Sequence, residues 1–204
     1  SDPLDPIILG EYYEAGVSDY LHIINDDLLL GIGRNAVTEG DWTRFTGVKV
    51  GLYDTTGDTP VNLDTYLVEG EYSYTNVMWD HKAFVYFAPQ GADFTYVAIP
   101  VYEYFQDFWG YSQSMYVFKV YNSGDLEMVS KLTHMVENQE GYYPYYDSIE
   151  RAVMIDNYIY TVSYSSIKMF DMNDEFSLSN TQELNASYYS IWGYPVMEDT
   201  DVEI

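Results

Sequence analysis

Apolar positions in this chain come as short runs broken by polar turns. Within the runs they alternate as strands require, and nowhere does the spacing of a helix face persist. The most β-rich stretch is 75–121, with runs at 82–87, 95–102 and 115–121. Weaker copies of the plan flank it. The predicted strands are 20–24, 28–33, 47–53 and 61–68, then 82–87, 95–101, 115–121 and 126–132, then 151–155, 158–163, 166–171 and 177–184. Each third strand ends near an Asp or Asn (Asp54, Asn122, Asp171), residues whose side chains hold turn amides.

Repeated sets of four short strands predict an all-β, propeller-like fold with antiparallel blades at about 20–68, 82–133 and 151–185. A β-sandwich accounts less well for grouping by fours. Segment 7–13 reads as the last strand of a further blade, and the tail from Tyr188 as the start of another. Segments 34–46, 103–114 and 136–150 read as long loops. Propellers close with about four to eight blades, so three blades predict an incomplete ring.

The segments YLHIINDDLLLGIGRNA, GVKVGLYDTT, DHKAFVYF, VAIPV, YVFKV and IERAVMIDNYIYTVSYSSIKMFD, in that order, resemble the secreted β-propeller domain proteins of archaea and bacteria. The resemblance runs from residue 7 to 184, and DHKAF with AIPV and RAVMIDNYIYTVS are its most specific parts. It implies the C-terminal part of a longer propeller domain, exported to the cell surface or periplasm, and it carries over no catalytic residue. The chain opens SDPLDP, without the basic and apolar regions of a signal peptide, so by these residues alone the protein is expected either to be cytoplasmic or to have a leader that was removed or lies outside them.

Composition narrows the partners. With 33 Asp and Glu against 8 Lys and Arg, the formal charge is −25, far beyond the magnitude of roughly 2–8 that suits a small domain. Nucleic acid and anionic membranes are not expected partners, and no run is apolar enough to span a bilayer. The absence of cysteine excludes disulfides, Cys-based metal sites and Cys nucleophiles.

Candidate chemistry is sparse. His22, His81 and His134 have no metal-ligand spacing. Asp80-His81-Lys82 reads as the turn that opens the second blade rather than as a catalytic set. Asp171, Asn173 and Glu175 place oxygens at alternate positions, as a Ca²⁺ loop begins, without its sharp-turn glycine. Asn185 opens a glycosylation sequon. The more suggestive signal is aromatic. Tyr104, Phe105, Phe108, Trp109 and Tyr111 crowd one predicted loop, Tyr142, Tyr143, Tyr145 and Tyr146 another, and Trp192 lies in the tail. Such residues cover blade edges, stack on sugar rings or anchor protein contacts. The expectation is a non-enzymatic, extracellular scaffold that assembles with itself or with further blades through strand edges and aromatic loops. The alternative is a polysaccharide-active or cation-dependent glycan-binding propeller.

Overall fold

A computed structural model describes residues 4–5, 7–8, 10–68, 72–105, 110–135 and 147–184. These form three antiparallel sheets, each following chain order from its first strand to its last. Blade 1 comprises β1 (Val17–Ile23), β2 (Leu28–Glu39), β3 (Trp42–Asp54) and β4 (Val61–Leu67). Blade 2 has two short strands, β5 (Ser73–Thr75) and β6 (Val85–Phe87), sharing its first position; β7 (Phe94–Phe105), β8 (Gly110–Tyr121) and β9 (Leu126–Leu132) follow. Blade 3 comprises β10 (Arg151–Ile155), β11 (Tyr158–Val162), β12 (Ser166–Asp171) and β13 (Ser177–Glu183).

The sheets stack face to face. Alternation along the central blade sends successive side chains to opposite cores. Val97, Ile99, Val101, Tyr116, Phe118 and Val120 meet Leu30, Ile32, Val48, Val50 and Leu52 of blade 1. Tyr96, Ala98, Met115 and Val117 meet Met154, Ile159 and Phe170 of blade 3. Both faces of β7 and β8 are therefore buried, which is why this stretch reads as nearly continuous apolar sequence. At one side of the stack β1 lies against the turn at Asn76–Met78 and β10 against β6; at the other β4 lies against β9. First strands thus adjoin first strands and fourth strands adjoin fourth strands, as in a propeller.

Four sequence expectations change. Segment 34–46 is not a loop: β2 and β3 continue to a hairpin turn at Gly40, with Ala36 opposite Phe45 and Glu39 opposite Trp42. Segment 103–114 is likewise hairpin where described, with Tyr104 opposite Tyr111 and Phe105 opposite Gly110. The alternation in both is diluted by polar residues because these ribbons run past the blade core and bury one face at most. The predicted strand 82–87 is split, since Asp80 caps a single 3₁₀ turn at His81–Ala83 and only Val85–Phe87 pairs with β7. Finally, none of the described residues of 7–13 is strand.

That last segment instead runs onto the outer face of blade 1. There Glu14 accepts from Lys49 Nζ and from Tyr53 OH, both at 2.5 Å. The Tyr53 ring lies over Gly51, where an added Cβ would stand 2.4 Å from the Tyr53 hydroxyl. Glycine makes that floor, and burial first, then the Glu14 carboxylate, raise the Tyr53 pKa well above its ordinary value.

Candidate functional site

Two kinds of side chain stand out once the blades are in place: those that lock one blade to the next, and aromatic rings that the sheets do not cover. The locks come first. Gln113 lies on β8 in phase with Met115 and Val117, on the face toward blade 3, and is wholly buried. Its amide donates to Ile149 O at 3.1 Å and accepts from Ile149 N at 2.8 Å, so one side chain satisfies both backbone groups of a buried residue just before β10.

His134, just after β9, is 3% exposed. Its Nε2 is 2.7 Å from Thr161 Oγ1, and its Nδ1 is 3.0 Å from Ser163 Oγ and 3.1 Å from Ser166 Oγ. Burial, and then the nearby Lys168, lower its pKa to about 4, so the ring is neutral at ordinary pH. Asp80 completes the junction. One carboxylate oxygen accepts from Lys82 N at 3.0 Å, and the other pairs with Arg151 Nη2 of blade 3 at 2.5 Å. The Lys82 amide above all, with Arg151 adding to it, holds the Asp80 pKa below the usual carboxylate range. Asp80-His81-Lys82 is thus a capping turn and an inter-blade tie. His22 belongs to the other junction, its ring 4.6 Å from Phe84 and 4.9 Å from Tyr86, with Tyr20 OH 3.0 Å from Nδ1.

The uncovered rings form a ladder on the part of blade 2 that outruns its neighbour. Tyr74 of β5 stacks on Tyr102 of β7 at 4.6 Å with the planes 1° apart. Trp79 stacks on Tyr74 at 5.6 Å, and Tyr104 stands 5.9 Å from the same ring. Tyr111 of β8 lies 6.1 Å from Tyr104. Tyr102 is buried, whereas Trp79 is 67% and Tyr104 49% exposed. The β2–β3 ribbon carries a second exposed group, Trp42 and Phe45, with the Arg34 guanidinium 4.4 Å above the Phe45 ring.

Of the sequence candidates, Tyr104 and Tyr111 come together in the ladder. Phe105 contributes its backbone to β7, opposite Gly110. Phe108, Trp109, Tyr142, Tyr143, Tyr145, Tyr146, Trp192 and Asn185 lie outside the described residues. Sequence reading missed Tyr74 and Trp79 as ladder members because they precede the predicted blade. The signal was there: Ser73, Tyr74 and Thr75 alternate just ahead of a turn. It missed Gln113 because a lone polar residue looked like part of a loop.

At the Asp171, Asn173 and Glu175 segment the Asp171 carboxylate and the neighbouring Asp174 serve a tight turn. Asp171 Oδ1 accepts from Asn173 N at 2.9 Å, and Asp174 accepts from Ser177 Oγ at 2.7 Å. Glu175 and Phe176 take φ of 49° and 59°, which swings the Phe176 ring into the core edge-on to Tyr96. Among the described residues no three His, Cys, Asp or Glu side chains gather where they could hold a metal ion.

A known family agrees with this architecture. Residues 1–175 match the family model described as Beta propeller domain. An uncharacterized protein of Methanocaldococcus jannaschii is 27% identical over 179 residues, and one of Archaeoglobus fulgidus is 29% identical over 174. Each alignment covers 85% of this chain, and the chain spans 22% of the length of each relative. Three stacked four-position blades, locked through Gln113, His134 and Asp80 and matched along most of their length, place the chain in the beta propeller domain family.

Proposed function

We propose that this chain is a non-enzymatic, extracellular β-propeller module that binds macromolecular partners and assembles with further blades, its own copies included. The observation that carries the reading is the aromatic ladder. Rings held by strand pairing at β5, β7 and β8, with Trp79 and Tyr104 open to solvent, form a rigid surface of the kind that anchors protein and glycan contacts. The net charge of −25 supports export to a saline exterior and disfavours polyanionic partners.

The test is assembly and binding by the intact chain. Light scattering is expected to give a mass above 23.6 kDa, and Trp79→Ala with Tyr104→Ala is expected to lower partner binding without loss of fold. Turnover of a polysaccharide, abolished by a single Asp or Glu substitution, would overturn the non-enzymatic reading. A second reading is favoured by the same ladder: its spaced, near-parallel rings suit neutral sugar rings. Titration of Trp79 fluorescence with neutral oligosaccharides, with and without Ca²⁺, tests it. A flat titration in both arms removes it.

A further inference from the structure

Each blade is a meander in chain order, so its first and third turns lie on one rim of the stack and its second hairpin on the other. Hydrogen bonds between blades keep the rims aligned. Asn25, in the first turn of blade 1, donates to Asn122 Oδ1, in the third turn of blade 2; toward the other rim Val48 N donates to Ser73 Oγ. The two rims differ in chemistry. The first and third turns (24–27, 55–60, 88–93, 122–125, 156–157 and 172–176) hold eight carboxylates and no Lys or Arg, and their single aromatic ring, Phe176, is buried. The second hairpins carry exposed rings in all three blades. Trp42, at the tip of the β2–β3 ribbon, is 83% exposed, and Phe45 is exposed beside it. Trp79 and Tyr104 stand on the blade 2 extension, and Tyr164, in the β11–β12 turn, is 59% exposed. On this rim Asp19 pairs with Arg34, Glu39 with Arg44 and Glu103 with Lys131, while Asp41 at the ribbon tip belongs to none of these pairs.

We infer that the second-hairpin rim is one binding face running across blades 1 and 2, and that its ligand is a neutral polysaccharide chain. The inference rests on the ladder as a binding surface and extends that surface to the Trp42 ribbon of the neighbouring blade. Charge selects the ligand class. A polyanion is repelled by a chain of net charge −25, and a polycation is drawn to the opposite rim, where the turns hold carboxylates alone. What remains at the second-hairpin rim is aromatic rings among paired charges, which favours an uncharged partner. The spacing of the rings selects a sugar polymer over a protein. Trp42 and Trp79 are separate anchors on separate blades, with the Thr38 and Thr43 hydroxyls and the Asp19–Arg34 and Glu39–Arg44 pairs among them. The core of a protein interface is a close-packed apolar patch depleted of charge. A polysaccharide instead alternates apolar ring faces, which stack on aromatics, with hydroxyls that bond to carboxylate and guanidinium groups. Two anchors held rigidly on adjacent blades act together on one polymer, because the second contact is made within the same complex.

The experiment is isothermal titration of the intact chain with hydroxyethylcellulose, galactomannan and dextran, and with alginate as the anionic control, at about 0.1 M and about 1 M salt. At least one neutral polymer is expected to bind, with affinity unchanged by salt, and alginate is not. Trp42→Ala and Trp79→Ala are each expected to weaken binding about tenfold, the loss that follows removal of an anchoring aromatic, and together to abolish it. Both residues are exposed, so circular dichroism is expected to stay as in the parent. Asp58→Ala, on the opposite rim, is expected to leave binding unchanged. Loss on Trp79→Ala with none on Trp42→Ala overturns the two-blade face and leaves the ladder reading standing. Loss on Trp42→Ala alone overturns both. Binding that includes alginate, or that disappears at high salt, overturns the neutral class. No heat with any neutral polymer overturns the polysaccharide and the sugar reading of the ladder together, and leaves protein assembly to stand on its own light-scattering result.

Discussion

Gln113→Leu isolates what a single amide contributes to the junction of blades 2 and 3. Leucine keeps nearly the volume and the apolar stem, so the β8 packing around Met115 and Val117 changes little. What disappears is both hydrogen bonds to Ile149, at 2.8 and 3.1 Å. Ile149 and Gln113 are both 0% exposed, so water does not replace the lost partners. A buried amide group left unsatisfied costs about 1–3 kcal/mol, and two of them about 2–6 kcal/mol. Urea titration of the variant is expected to show a lower midpoint at unchanged slope, and hydrogen exchange to show earlier loss of protection at the Ile149 amide and β10 than in blade 1. Gln113→Glu sharpens the test. Its carboxylate still accepts from Ile149 N but repels Ile149 O, and protonation restores a donor. The stability gap between the Glu and Leu variants is therefore expected to move in favour of Glu as pH falls, a comparison in which every other titration cancels. A Leu variant within about 0.5 kcal/mol of the parent, the scatter expected of substitutions that touch nothing important, would refute the reasoning.

The remaining expectations concern the other ties. His134 has a folded pKa of about 4 against an unfolded value of 6.5, so the unfolded chain binds more protons between those values. Its contribution is complete above about pH 6.5 and is lost as pH falls toward 4, about 3 kcal/mol in all; His134→Gln is expected to flatten the denaturation midpoint against pH across that window. Gly51→Ala pushes a methyl into the Tyr53 ring and is expected to destabilise by about 1–3 kcal/mol, measured as a lowered melting temperature with loss of the Tyr53 to Glu14 contact. Arg151→Ala is expected to leave stability nearly unchanged, because the Asp80 pair is exposed and screened; a clear drop in the thermal melt would show that the tie does more than its exposure allows.

The blades were legible because two-residue alternation and Asp or Asn turns are local signals, and Asp54 and Asp171 do hold turn amides as their positions suggest. Asn122 does not follow them: its side chain meets Asn25 of blade 1, and its amide donates to Asp93 O. The hairpin extensions were hidden because Thr38, Thr43 and Arg44 face solvent, and a ribbon with little to bury lacks the apolar phase that marks a strand. The ladder was half legible. Tyr104 and Tyr111 stood out by composition, but Tyr74 and Trp79 join them only through the β5–β7 pairing, a contact across some thirty positions that no local pattern carries.

The placement of polar groups bears on why the stack has distinct ends. Between blades, several polar groups are matched by one reaching across: Asp64 accepts from Leu126 N, Ser73 Oγ accepts from Val48 N, and Gln113 and His134 serve blade 3. These groups fix the order and register of neighbours at sites where a mismatched blade would leave a buried donor or acceptor unpaired. On the face of blade 3 away from blade 2, the phenol groups of Tyr158 and Tyr160 stand beside Val153, Ile155 and Met169, while Asn180 and Gln182 lie toward the outer strand. Its aliphatic residues supply affinity, and the register of a blade that packs there comes from these polar groups. Substitution of Asn180 and Gln182 by Ala is accordingly expected to broaden the geometry of that contact more than to weaken it, a distinction that cross-linking patterns read and mass alone does not.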